Sequence, residues 1–244
     1  MRESSSFGFD GSRGGGEKPR VGAAQGEPAR EHVAHDDFAE LLSAGAALEA
    51  VRAESKRLAG MLSSPIASER LSAAVGLGAV GDAGCVPSLA EALYDEDRTV
   101  AEAAETSLGT IWLRAGTDEA VECLVRGLSR LDAEDCAGAS RAFTRAIEHD
   151  PSYAEAHVQR GIALLLSPCD PPTPAVVRAA LEDFERAAAL APEHFMAYAG
   201  AGNCLLSLGD LERAASAHRR AVAINPNLEC SMEALAMIRR RLPR

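Results

Sequence analysis

Few residues in this chain stand at spacings that chemistry would use. His32 and His35 are one helical turn apart, a separation at which two imidazoles can share a metal ion, but no third ligand stands near them and two solvated histidines are the alternative. Cys85 follows Gly84 at the start of a helical stretch, where the helix dipole favours a thiolate; a small buried core residue is the competing role. Arg126 and Arg160 recur at matching places and could hold an anion between successive units, or their stems could pack while their heads reach water. Arg239, Arg240, Arg241 and Arg244 could meet an acidic partner, although cations also suit the C-terminal turn of any helix. No strand-borne G-x-G-x-x-G, Walker loop, His-Glu-x-x-His or G-x-S-x-G is present. The expectation is a non-catalytic protein with no cofactor and no metal.

What would position any of these groups is a repeated helical hairpin. In the stretch Phe195 to Leu228, Tyr198, Gly202 and Leu205 fall on one helix, Gly209-Asp210 ends it, and Ala214, His218 and Ala221 fall on a second helix closed by Asn225-Pro226. Proline stops the second helix because it lacks an N–H and restricts the residue before it. Gly202 and Ala221 are small where two helices would cross. The frame recurs upstream as Gly161, Phe184, Ala187 and Pro192, and again as Gly127, Ala139, Phe143, Ala146 and Pro151. Gly127 to Gly161 and Pro192 to Pro226 are each 34 residues, while Gly161 to Gly202 is 41. The excess lies in SPCDPPTP, whose prolines require an exposed loop.

At these residues the chain resembles the tetratricopeptide family, with its period of about 34 residues and its W-x2-L-G-x2-Y, A-x3-F, P pattern. Tyr198 and His157 stand at the family's Trp site, Cys123 departs from it, and His218 replaces the Phe kept at Phe143 and Phe184. The resemblance covers Asp118 to about Leu228 and implies a concave groove lined by the first helix of each repeat. Three stripes would line it. Leu124, Leu128 and Leu131 form one, Val158, Ile162 and Leu165 the next, and Ala199, Asn203 and Leu206 the third. The expected occupant is a protein or peptide, an apolar helical segment, with Asn203 fixing its register. The alternative is that the chain covers the trough itself, with its C-terminal helix or part of Asp36 to Leu62. Some family members clamp chaperone C-terminal tails with Lys, Asn and Arg; here those places hold Leu124, Leu128, Gln159, Met196 and Gly200, which disfavours such tails.

A second repeat precedes the first. Ala73, Leu77, Gly78 and Val80 match Ala104, Leu108, Gly109 and Ile111 at an offset of 31 residues. With the Gly81-Asp82 turn, these residues resemble HEAT repeats, particularly the short variety of phycobilin lyases, and a tetrapyrrole-handling protein is therefore one alternative function. A structural subunit of a larger complex is another. The helix opening near Asp118 would serve both repeat types. Upstream, Phe38 to Leu62 reads as a helical stripe, and residues 1–35, rich in Gly, Ser and charge without a period, read as a disordered tail.

The totals bound the rest. A formal charge of −11 argues against a phosphate-backbone binder, so no nucleic acid is expected. Six cysteines without C-x-x-C, and no secretory segment, fit a reducing, cytoplasmic setting; a transit peptide for a plastid or another organelle is the alternative, against which the acidic residues of the tail speak. No apolar run is long enough for a membrane span. The expected architecture is an all-α, right-handed helical-repeat solenoid: a tail over 1–35, HEAT-like repeats over 36–116, and three tetratricopeptide repeats plus a capping helix over 117–244. Its expected role is that of an interaction scaffold or adaptor.

Overall fold

A computed structural model describes residues 30–166 and 172–241, with side chains from residue 45 onward. Most of the expected tail and part of the proline-rich insertion fall outside the described residues. The chain is already helical at Arg30, so the end of the segment expected to be irregular is not. Residues 1–46 and 47–244 are two compact units, and the packing described below belongs to the second.

The described residues are all-helical. In order they form α1 (Arg30–Met61), α2 (Ala67–Val80), a 3-10 turn (Ala83–Cys85), α3 (Val86–Ala92), α4 (Arg98–Leu113), α5 (Asp118–Asp132), α6 (Cys136–His149), α7 (Ala154–Leu165), α8 (Pro174–Leu190), α9 (Phe195–Ser207), α10 (Leu211–Ile224) and α11 (Glu229–Arg241). Their starts have local causes. Asp97, Thr117, Asp135, Thr173 and Asp210 each accept a backbone N–H from the first turn that follows, satisfying a donor that has no intrahelical partner. Pro174 opens α8, where a missing N–H costs nothing. At the other end of α9 the chain reverses through Gly209, at φ +82°, a left-handed conformation that a glycine adopts freely. Glu134 takes the equivalent place after α5 at φ 59°.

The hairpins α5–α6, α7–α8 and α9–α10 stack in series, and α11 packs on α10. Each hairpin closes in the same way. A Cβ on Gly127 would run into the Phe143 ring, one on Gly161 into Phe184, and one on Gly202 into His218. The glycines thus clear space for a ring from the second helix rather than for a bare backbone crossing. Phe143 and Phe184 are fully buried, each contributing on the order of 1.5–3 kcal/mol by leaving water.

The segment before the hairpins is built differently. α2 and α4 start 31 residues apart and pack on each other, with α3 against α4. Ser107 Oγ donates to the Ala74 carbonyl across the α2–α4 contact (2.8 Å), where Gly78 leaves no room for a side chain. Arg114 donates to the carbonyls of Gly78 and Gly81 (2.6 Å each), satisfying acceptors at the end of α2. Arg70 forks onto both oxygens of Asp95 (2.6 and 2.8 Å), and that contact holds Asp95 below the usual carboxylate range despite its desolvation.

The shared helix expected near Asp118 is not where the main junction lies. The buried Ala120, Cys123 and Leu124 of α5 belong to a core made with α6 and α7, while the strongest helix-to-helix contact of the first segment with the later hairpins is that of α4 with α7. The core of α2–α4 continues into Phe195, Ala221, Ile224 and Leu228 of the last hairpin and its exit. Trp112 stacks on His194 (centroids 3.9 Å apart, planes at 17°) and meets Phe195 edge-on at 5.4 Å. Tyr94 Oη donates to the Ala223 carbonyl (2.6 Å), Asn227 donates to the Leu93 carbonyl (3.0 Å), and Tyr153 Oη donates to that of Leu113. The physical reason is area: an indole at the end of α4 buries far more apolar surface than any residue α5 offers there.

Candidate functional site: the face of α5, α7 and α9

α5 touches α7 and α7 touches α9, so the three expected stripes lie on adjacent helices. Their members are not equally open. Leu124, Val158 and Ala199 are buried, at 0%, 2% and 1% exposure, each in a different core cluster. Leu128, Leu131, Ile162, Leu165 and Leu206 are half-buried, and Asn203 is exposed. The outer two residues of each stripe therefore remain at the surface while the first is part of the core. α11 packs on α10, and its Ile238 shares a core with Ala201, Cys204 and Leu205 of α9, while α4 touches α7.

The end of the face nearest the starts of α7 and α9 is closed by a polar-aromatic group that the spacing of the repeats does not announce. His194, at the N-cap of α9, lies 2.8 Å from Glu155 in the first turn of α7, and Trp112 covers the imidazole. All three are buried. Tyr153 is close by, its phenol pushed up by burial and by the carboxylates of Glu155 and Asp150. One turn along α7, His157 (3.1 Å) and a forked Arg160 (2.6 and 2.8 Å) meet Asp183 of α8. Burial alone would raise the Asp183 pKa, but the hydrogen bonds from His157 and Arg160 outweigh it and hold the carboxyl below its usual range.

The other candidates resolve individually. Arg160 is committed to Asp183, so it does not form an anion site with Arg126. Cys85 is buried in the α2–α4 core at the 3-10 turn. Cys204 is buried as well, and burial pushes its thiol up to about 12, leaving it protonated. Arg239, Arg240 and Arg241 lie exposed in the last turn of α11, where cations complement a helix C-terminus. His32 and His35 fall where no side chains are described. Among the described residues no three His, Cys, Asp or Glu side chains gather as a metal would need, and no described helix is long and apolar enough to cross a membrane.

The tetratricopeptide-repeat family model matches residues 124–168 and 177–229, less than half of the chain, so these stretches are tetratricopeptide repeats. No curated protein matches the sequence. Among solved structures the chain is similar to the tetratricopeptide domain of Arabidopsis OM64 (20% identity over 51% of this chain and 98% of that one, TM-score 0.47). It is similar also to that of Sgt2 from Aspergillus fumigatus (19% identity, 52% and 81%, TM-score 0.47). A third is the second such domain of human RPAP3 in complex with the HSP70 peptide SGPTIEEVD (21% identity, 50% and 95%, TM-score 0.45).

Proposed function

We propose that the chain is a non-catalytic interaction scaffold that takes an apolar helical segment of a partner protein along α5, α7 and α9. The observation that carries this reading is the run of half-buried aliphatics, Leu128, Leu131, Ile162, Leu165 and Leu206, bordered by exposed Asn203 on adjacent helices of tetratricopeptide repeats. An amphipathic helix presents apolar residues at three- and four-residue steps, which is the spacing within each stripe. Asn203 offers such a helix a donor and an acceptor that fix its register. In this reading residues 36–116 are HEAT-like repeats that bound the groove through Trp112, and residues 117–244 are three tetratricopeptide repeats with α11 as cap. The 31-residue offset between α2 and α4 supports the first assignment, and the match over 124–168 and 177–229 supports the second.

Peptides selected by the intact chain from a random displayed library test the proposal. Amphipathic helical sequences should be enriched. Asn203→Ala should weaken the best of them by about tenfold, the effect of one good buried hydrogen bond, and Ile162→Asp should abolish binding with circular dichroism and Tm near those of the parent. Selected peptides insensitive to Asn203→Ala would remove the groove from the account, and unfolding of the Ile162→Asp protein would make that stripe core. A chaperone C-terminal tail peptide is included, because only the residues at the clamp places speak against it. An absorption spectrum of the purified protein tests the tetrapyrrole alternative in the same preparation.

A further inference from the structure

Arg126 has other company than Arg160. With Arg130 it is spaced four residues apart on α5, Arg141 and Arg145 are spaced four apart on α6, and all four line one cavity of about 280 Å³ beside Cys123 and Gly138. Guanidinium groups are always charged, and like charges at this helical spacing repel. Compensation is partial. Arg126 pairs with Glu122 (3.4 Å) and Arg130 with Asp135 (2.7 Å), while Arg141 and Arg145, both exposed, enter no ion pair among the described residues. Gly138 is part of the arrangement: the Arg130 guanidinium and the Asp135 carboxylate lie over it, in space that a methyl there would make them vacate.

The set belongs to the first repeat alone. The same frame holds Arg160 and Leu164 on α7 with Glu182 and Arg186 on α8, then Ala201 and Leu205 on α9 with Ser216 and Arg220 on α10. In those repeats a preceding hairpin packs alongside, α6 against α7 and α8 against α9, whereas α5 opens the series. A terminal repeat needs a polar outer face to stay soluble. Solubility is served better by mixed charges than by four of one sign in one cavity, and the chain as a whole carries −11. The concentration of positive charge therefore calls for an anion. A single carboxylate would neutralise one of the unpaired guanidiniums, while a phosphoryl group brings nearly two charges and three acceptor oxygens in a volume the cavity holds, and it matches the fork of arginine.

We propose that the arginine cavity between α5 and α6 is an oxyanion site for a phosphoryl group, either free phosphate or a phosphorylated side chain of another protein. The site is independent of the groove on α5, α7 and α9. Thermal shift and titration calorimetry on the intact chain, at matched ionic strength, test it with inorganic phosphate, a phosphoserine peptide and that peptide unphosphorylated. Phosphate or the phosphopeptide should raise Tm and bind where sodium chloride and the unmodified peptide do not. The double variant Arg141→Gln/Arg145→Gln should lose about tenfold or more in affinity with an unchanged circular dichroism spectrum. Arg141→Lys/Arg145→Lys, which keeps charge and loses the fork, should lie between, and it carries the test if the glutamine variant folds poorly. Tighter binding of the phosphopeptide than of phosphate assigns the site to a protein partner, and the reverse assigns it to a small ligand. A parent that answers phosphate and chloride alike, or a glutamine variant that binds as the parent does, overturns the proposal.

Discussion

His218 stands where the two preceding hairpins have Phe143 and Phe184, and the substitution has a cost that depends on pH. Its ring is buried against Gly202, with Nδ1 3.1 Å from Ser231 Oγ, and burial lowers its pKa below the ordinary value of 6.5. The native state therefore resists a proton that the unfolded chain accepts. Stability is full above the unfolded pKa and falls as pH drops below it, by a slope approaching ~1.4 kcal/mol per pH unit for this one group. His218→Phe should remove that share of the decline between about pH 7 and 5.5. At neutral pH it should cost about 1 kcal/mol, because the buried Ser231 hydroxyl loses its partner. Urea titrations at several pH values check this, and a variant whose stability declines as steeply as the parent's would place the titration elsewhere. The departure was legible in the sequence, since the frame alone marks His218 as the odd ring. Its partner was not: Ser231 lies past Asn225-Pro226, beyond the last repeat, where the frame no longer says what faces what.

At the scale of elements, the hairpins follow from the order of residues. Glycine sits opposite the ring, proline ends the second helix, and Asp or Thr at the N-cap starts the next; each acts within one or two turns, so each was readable. Polar contacts between helices are a different matter. Asp183 is one of many acidic residues on a surface-like helix face, yet it is buried and receives both His157 and Arg160 of the neighbouring helix. The sequence leaves Arg160 open to an anion-binding role, and nothing in the periodicity pairs it with a residue 23 positions on. Asp183→Asn would keep the shape and remove the charge, leaving the guanidinium with a neutral acceptor. Because Arg160 remains partly in water, the expected loss is about 2–3 kcal/mol, somewhat below that of a fully buried pair. Denaturant unfolding measures it. Adding Arg160→Gln should restore part of the loss, and a double variant no more stable than Asp183→Asn would show that the cost lies in packing rather than in the unpaired charge.

For the molecule as a whole, periodicity dictates which hairpin stacks on which, but it is silent on how far the stack curves. That is why the repeat pattern does not announce the contact between α4 and the last hairpin, although the sequence holds a single tryptophan, Trp112. The contact links the beginning of residues 47–244 to their end, so neighbouring interfaces are supplemented by one that spans the series. In an open solenoid each unit leans only on its neighbours and the ends fray first. Here fraying of α2–α4 requires breaking the Trp112–His194 stack, the Tyr94–Ala223 and Asn227–Leu93 hydrogen bonds, and the shared apolar core. Residues 47–241 should therefore unfold as one cooperative unit. Trp112 itself reports on it: its fluorescence follows the junction, while far-UV circular dichroism follows every helix, and the two urea curves should coincide. Trp112→Ala removes about 3–5 kcal/mol of packing at that point and should split the dichroism curve into two steps, the α2–α4 segment melting first. Fluorescence of the parent changing at clearly lower urea than the dichroism would mean that α4 leaves the hairpins while they remain folded. The closed end of the face on α7 and α9 would then be a removable cover, and the length of groove offered to a partner would be set by how often it lifts.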